Sequence, residues 1–545
     1  MRHKAEHTRP RHSTPPGRFG HRGVFALFLA AACLTGAPAG TAAAPFETTG
    51  NNTTAQTSGA EGGGAAQRGV EAVAPQSNVK ARGAKGDGRT VTGCSVSPRS
   101  QTVTCAGASF TPADVGKKFI LPGAGPGASD LATTVSARAG ATQVNIGAAA
   151  STAVNGREAT YGTDDTPAIQ AAIGAAQAAG GGVLVFPEGH YLTSGVRVTT
   201  PTVQLRGQGW GRTKLSNYSA TETTVDVYSA VAEYETAGGV YDMAFIPAVK
   251  RATTANELKV FVGIPNFTVD GCLFQNVGRA IKLGDASRIT SGYWVRNCRY
   301  INCWQFLKLV RAIDGSFRDI VGDLARLDNP VGIHLDGGSE GNTFDSLIVT
   351  NATAYNAYNT NPAASAGGGT NLLSDTDEYT AQDAAHTFFT NCYFDAAADG
   401  AVFNDGRNFS FTNVWFNGCY RYGAYVGAAT TGFSFVNCKF WRSGDAGMLL
   451  LGTRHTVRAS YAVSNGTRSG VSRAGFQAAA TNFIFSGNFA FNGWGGGDTQ
   501  AYGLVLEPSA DNFIVKDNIL TGNTATGLLN NGRPGPTRIV SDNLL

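Results

Sequence analysis

Lys282, Lys308 and His334 follow one another at intervals of 26 residues. Each is the centre of an apolar–basic–apolar triplet: Ile281-Lys282-Leu283, Leu307-Lys308-Leu309 and Ile333-His334-Leu335. In an extended strand the two flanking residues turn inward together, so the basic residue turns outward. If the triplets hold equivalent places in stacked strands, the three groups stand about 4.8 Å apart per step. Crowding of this kind lowers pKa values and could produce a neutral base near pH 7, or a seat for carboxylates. Asp336, two places after His334, should share its face and could orient it or balance charge. Arg279, Asp285, Gln305 and Arg311 flank the column as candidate binding groups. Later coils place Phe403, Tyr425, Leu449, Gln477 and Val505 at the comparable position, so the basic column is expected in three coils only.

What must position these residues is a repeat. Phe267-Thr268-Val269-Asp270-Gly271-Cys272 returns as Tyr293-Trp294-Val295-Arg296-Asn297-Cys298, again 26 residues on. Each unit carries three short runs with period-two apolar patterning, separated by Asn, Gly and Asp. A unit this short cannot bury its own apolar face and must stack on copies of itself. Three strands per turn, stacked along an axis, make a parallel β-helix. The Phe388, Phe409, Phe433, Phe483 and Phe513 runs each open a later coil. Cys272, Cys298, Cys392 and Cys438 share one place after the turn and read as an inward ladder of small apolar thiols. Asn297, Asn391, Asn413 and Asn437, at the turn itself, could stack through their amides.

These coils resemble the right-handed β-helix of pectate lyases, rhamnogalacturonases and phage tailspikes. Asn78-Val79-Lys80-Ala81-Arg82-Gly83-Ala84-Lys85-Gly86-Asp87-Gly88, continued at Gly162-Thr163-Asp164-Asp165-Thr166-Pro167-Ala168-Ile169, is similar to the N-terminal signature of that pectate-lyase-like superfamily. The expected fold is all-β: a right-handed single-stranded parallel β-helix with an N-terminal capping helix and a small β-rich insertion. The cap is expected from Asp165 or Thr166 at the N-terminus, Pro167 in the first turn, and Gly180-Gly181-Gly182 as the stop. The insertion, residues 90–161, parts the two halves of the signature and includes Cys94 and Cys105 around a hairpin turn, which could pair in an exported protein.

Composition narrows the rest. Residues 1–44 hold six Lys/Arg and one Glu, so they contribute +5 of the formal +4 and leave the remainder at −1. The basic balance therefore argues for no nucleic-acid partner. The same segment reads as a secretory signal peptide: a basic start, an apolar core from Val24 to Leu34 too short to span a bilayer, and Ala42-Ala43-Ala44 for cleavage. Secretion to the extracellular space, with no membrane association once the signal is removed, is the expectation. Residues 45–76 are rich in small polar residues and read as a disordered linker; 77–545 is then one β-helix domain. Tyr228, Tyr234 and Tyr241 could line a groove, but core or rim packing is the commoner explanation for any one of them.

One interruption breaks the rhythm at residues 351–385. It carries Asp375-Thr376-Asp377-Glu378 on a coil next to His334, and long loops on a regular scaffold often carry function. Asp375, Asp377 and Glu378 are candidate substrate-binding groups. They could hold Ca²⁺ through oxygen ligands, although no cofactor is demanded and no Cys/His metal set is present. The resemblance implies an enzyme of an acidic polysaccharide, and among tailspike relatives a homotrimer. The catalytic motif sets of polygalacturonases, classical pectate lyases and alginate epimerases are absent, so residue roles rest on geometry.

Two chemistries fit. In β-elimination, Lys282, Lys308 or His334 removes the proton next to a uronate carboxyl group, and cations neutralise that group. In hydrolysis, Asp336 works with Asp375, Asp377 or Glu378. The lyase is the first expectation, the glycoside hydrolase the second, and a non-catalytic glycan-binding surface protein the third. Under the lyase reading, Lys308→Ala and His334→Ala abolish activity and leave the fold intact.

Overall fold

Thirteen parallel strands, one from each successive coil, form the sheet that carries the basic column. The computed structural model describes residues 76–545 except 230–237, 262–265, 325–329, 351–368, 469–472, 494–498 and 533. The proposed signal peptide, nearly all of the proposed linker, Tyr234 and the first half of the 351–385 interruption lie outside the described residues. The other strands of each coil pair coil on coil in a 25-stranded parallel system. Five consecutive strands of the thirteen carry the column and continue it: β1 (Arg279–Leu283), β2 (Gln305–Leu309), β3 (Val331–Leu335), β4 (Thr370–Ser374) and β5 (Asp399–Arg407).

The interior is built from like residues on like. Phe317, Phe344, Phe389, Phe411 and Phe435 stack face to face with centroids 4.6, 4.7, 5.0 and 4.7 Å apart, the spacing of neighbouring parallel strands. Phe411 is fully buried between two rings of this column. Phe411→Ala removes a ring and leaves a cavity that the stacked backbone cannot close; the expected cost is about 3–5 kcal/mol, read from the urea midpoint.

Cys272, Cys298, Cys392 and Cys438 point inward, at most 1 % exposed. Burial pushes the last three thiols up to about 12. Each thiol donates weakly to a backbone carbonyl, as Cys298 does to Arg296 at 3.2 Å. Asn297, Asn391, Asn413 and Asn437 all adopt positive φ between 52° and 56°, a left-handed turn conformation that asparagine tolerates well. Their amide ladder is partial: Asn413 donates to Asn391 at 2.8 Å, while Asn391 and Asn297 donate to Asp345 and Asp270. A second run passes through the buried Asn488 and Asn518 to the half-buried Asn543.

The N-terminal end is closed by α1 (Thr166–Ala178). Ile169, Ala172, Ile173 and Ala176 face the first coils and join their core. Asp165 is the N-cap residue, but its carboxylate does not cap the helix. It accepts instead from the backbone N–H of Lys85 (2.6 Å) and Gly86 (3.0 Å). Asp87 in turn accepts from the backbone of Thr163 at 2.8 Å. These bonds join the two separated halves of the signature.

Between those halves the chain forms a closed six-stranded barrel, with strands spanning Arg89–Val96, Thr102–Cys105, Lys118–Leu121, Leu131–Arg138, Gln143–Ile146 and Val154–Gly162. Closure removes the exposed edges an isolated small sheet would leave. Cys94 and Cys105 are directly paired across its first hairpin and form a disulfide. Ile120 of the barrel packs with Leu192 and Val249 of the coils, fixing the barrel against the solenoid.

Candidate functional site

The register of the thirteen-stranded sheet aligns the column as spacing required: Lys282 pairs with Lys308, and Lys308 with His334. Ile281, Leu283, Leu307, Leu309, Ile333 and Leu335 are fully buried beneath. Two features differ from expectation. The charged row is longer than three coils, because Arg197, Asp226 and Lys259 precede Lys282 in the same register. It is continued by Leu373, Val402 and Tyr425, and the expected Phe403 lies one register step away, fully buried in the core. The expected Leu449, Gln477 and Val505 follow Tyr425 in the same register.

The column is also not solvated. Lys282, Lys308 and His334 keep only 9 %, 2 % and 6 % of their surface, because residues 375–379 fold back across them. Lys308 Nζ lies 3.2 Å from Asp336, 2.7 Å from Asp377 and 3.0 Å from Glu378. Lys282 pairs with Glu378 at 2.5 Å. His334 Nε2 meets Asp375 Oδ1 at 2.6 Å, so Asp375, not Asp336, orients the imidazole. Asp336 is fully buried and accepts from the backbone N–H groups of Asp377 (3.1 Å), Glu378 (2.8 Å) and Tyr379 (3.2 Å). It anchors the acidic turn.

The acidic turn comes close enough only because residue 337 is glycine. A Cβ there would stand 1.9 Å from the Tyr379 carbonyl oxygen. Gly337→Ala is expected to push the turn off the column and lower turnover by about 10²-fold, the scale associated with a displacement of about 1 Å, while far-ultraviolet circular dichroism stays unchanged.

Charge is redistributed accordingly. Burial alone would lower the Lys308 pKa, but Asp377, Glu378 and Asp336 override it and raise it above the ordinary value. Repulsion within the column therefore does not make Lys308 a neutral base. Lys282 is lowered, first by burial and then by Arg279 and Lys308, with Glu378 opposing. Asp377 is held low, chiefly by its hydrogen bond to Lys308. Burial would raise Glu378, yet Lys282 and Lys308 bring it down to about 2.

A further carboxyl group joins the cluster unannounced by the repeat. Asp336 and Asp375 directly follow Leu335 and Ser374, which are paired coil on coil. Asp405 lies two residues past Phe403, the partner of Ser374, across a register irregularity in β5. It is 8 % exposed, and its Oδ1 has no hydrogen-bond partner among the described residues. Burial, then the charge of Asp383, with Asp375 and Asp336 behind it, pushes Asp405 up to about 6 against a hydrogen bond from Thr376. The sequence signal was faint: Asn404-Asp405-Gly406 looks like any turn.

The remaining candidates divide. Arg279 is buried, donates to Gln305 and to Asn256 (3.3 Å), and feels the charges of Glu378, Asp377 and Asp336. Gln305 supports it from below. Arg311 stacks on Tyr379, 4.6 Å from the ring centroid, and so braces the acidic turn. Asp285 spends its carboxylate on Ser287 in a local turn, 2.7 Å from both the amide and the hydroxyl. Tyr228 and Tyr241 lie under Arg197 and Arg206 as rim packing.

His334, Asp336 and Asp377 offer ligand atoms within 4.8 Å of one another. The Lys308 ammonium already bonds two of those carboxylates. Lysine here balances the carboxylates that could otherwise hold Ca²⁺, so a divalent ion would have to displace it. No helix among the described residues is long and apolar enough to cross a membrane.

Comparison with known proteins bears on the fold. Residues 155–270 match the family described as rhamnogalacturonase A/epimerase, pectate lyase-like, and residues 379–543 match the right handed beta helix region. No curated protein matches in sequence. Among solved structures, the N-terminal fragment of gene product 12 of bacteriophage Phi29 is similar over 68 % of this chain and 69 % of its own, with 11 % identity and a TM-score of 0.50. The A-module of mannuronan C-5 epimerase AlgE6 from Azotobacter vinelandii aligns over 70 % of this chain and 95 % of its own, at 16 % identity and a TM-score of 0.43. DFA-IIIase from Arthrobacter chlorophenolicus A6 aligns over 70 % and 94 %, at 12 % identity and 0.47. At such identities the likeness is one of fold. The chain is a right-handed parallel β-helix protein whose first coils carry a pectate-lyase-like segment.

Proposed function

We propose that this protein is a secreted glycoside hydrolase of a polysaccharide, with Asp405 as general acid and Asp377 as the ionised carboxylate that attacks or activates water. The observation that carries the reading is the opposed titration of carboxyl groups around one buried anchor: Asp336 acts on Asp405 and accepts from the backbone of Asp377. Asp405 is pushed up to about 6, while Asp377 is held low by Lys308 and Glu378 stands at about 2. A pair of carboxyl groups driven apart in this way can supply both the protonated donor and the ionised partner that glycoside cleavage needs. Asp377 is also the most open member of the cluster, its side chain 60 % exposed. The pectate-lyase-like match favours an acidic glycan. The disulfide of the barrel and the sequence of residues 1–44 favour export.

A second reading, β-elimination with His334 as base, keeps one argument: the imidazole is oriented by Asp375 at 2.6 Å and lies beside Lys308. A panel of acidic and neutral polysaccharides separates the two. Hydrolysis releases reducing ends without the ultraviolet absorbance of an unsaturated uronate. Appearance of that absorbance would replace the hydrolase with a lyase, and neither signal on any polymer would leave a binding protein.

A further inference from the structure

A cavity of 610 Å³ lies where the six-stranded barrel meets the coils. Its barrel wall includes Glu158, and its solenoid wall includes Lys214, Lys250, Asn276, Asn302 and Trp304. None of these belongs to the Lys282–Asp405 cluster. We propose that this cavity binds an acidic oligosaccharide segment, with uronate carboxylates on Lys214 and Lys250 and a sugar ring on Trp304. The proposal rests on the polysaccharide reading above and adds a second contact for the same polymer.

The charges of the cavity are unevenly spent. Arg251 also lines it, but its guanidinium is engaged by Glu257 at 2.8 Å and by the carbonyls of Ser219, Glu222 and Asn256. Asp130 uses one carboxylate oxygen on the backbone N–H of Gly123 (3.1 Å) and the other on that of Lys250. Among the described residues, neither Lys214 nor Lys250 has a carboxylate partner within ion-pair distance, unlike Lys117 and Lys118 nearby. Two ammonium groups therefore remain for an anionic ligand.

The uncharged groups suit a sugar. Asn302 donates to Asn276 at 2.8 Å, which fixes both amides at the rim and leaves further donors and acceptors for hydroxyl groups. Glu158 can accept from hydroxyls across the gap. Trp304 is half-buried and offers an apolar face with a polar edge, the kind of surface on which the C–H face of a pyranose packs. Trp304 immediately precedes β2, four residues before Lys308. At about 3.3 Å per residue, cavity and cluster are separated by roughly 13 Å along one strand, a span of a few sugars. A polymer held in the cavity is thereby presented to the cluster.

The test uses the full chain and three probes: polygalacturonate, alginate and dextran. Wild-type protein should bind one of the acidic polymers and not dextran in affinity electrophoresis. Lys214→Ala and Trp304→Ala should each weaken that binding by about tenfold, the effect of truncating one anchoring side chain. Lys250→Ala, at an exposed position, guards against loss by misfolding and should act in the same direction. The same variants should raise KM on polymer, with kcat and the hydrolysis of short oligosaccharides unchanged. Undiminished binding in all three variants, binding of dextran alone, or no polymer bound by wild type overturns the proposal. Polymer binding that needs these residues, with no hydrolysis of any probe, supports the cavity and removes the hydrolase instead.

Discussion

Asp405→Asn lowers kcat by about 10²–10⁴-fold, the usual worth of a positioned general acid. The pH profile identifies the role. With Asp405 pushed up to about 6, wild-type activity is expected to hold below that pH and decline above it as the carboxyl ionises. The residual activity of Asp405→Asn should lack this decline. Stability supplies an independent sign. A carboxyl whose folded pKa is raised above its ordinary 3.8 stabilises the fold fully below that value, and the contribution is lost as pH rises through about 6. Asparagine cannot ionise, so the variant should melt above wild type at pH 8, with the difference narrowing towards pH 4. A kcat within a factor of about three of wild type would reassign the acid role. Equal melting temperatures at pH 8 would show that Asp405 is not destabilised by ionising.

Lys308→Met destabilises the protein by about 3–5 kcal/mol, the cost of removing one partner from a buried ion pair. Lys308 is 2 % exposed and Asp336 is fully buried, so the substitution strands Asp336 without its cation. Methionine fills the space of the stem but cannot reach Asp336, Asp377 or Glu378 with charge. The outcome differs from that of an outward, solvated lysine, where alanine removes chemistry and leaves the fold. Glu378 should also titrate higher once Lys308 no longer helps hold it at about 2. Urea unfolding measures the first effect, and carboxyl titration by nuclear magnetic resonance the second. Adding Asp336→Asn should recover part of the lost stability, because the stranded charge is then gone. A loss below about 1 kcal/mol would mean that the ion pairs do not hold the acidic turn.

Repetition is what made much of the molecule legible in one dimension. A period of 26 residues and apolar alternation dictate stacked parallel strands, because each coil must bury its inner face on the next. The coil-on-coil places of Lys282, Lys308 and His334, the inward cysteines, and the turn asparagines in left-handed conformation are consequences of that stacking. The Asn78-to-Gly88 and Gly162-to-Ile169 words read as one signature, and in the fold Asp165 and Asp87 reconnect them through backbone hydrogen bonds. Period and alternation set which side of a strand a residue takes. They do not set what lies over it.

Cover, partner and charge state were decided in three dimensions. Residues 375–379 interrupt the repeat, so no spacing could place them over Lys308 or show that Asp336 anchors that turn. Asp405 lay hidden beyond an irregularity in β5, where counting from the column goes out of step. Its pKa depends on burial and on Asp383, Asp375 and Asp336, groups distant in the chain or on other coils. The barrel's closure and the cavity it makes with the coils likewise join segments far apart in sequence. Local pattern determined the scaffold because stacking repeats one interaction along the axis. The site was settled by tertiary structure, because electrostatic environment sums over neighbours that only folding brings together.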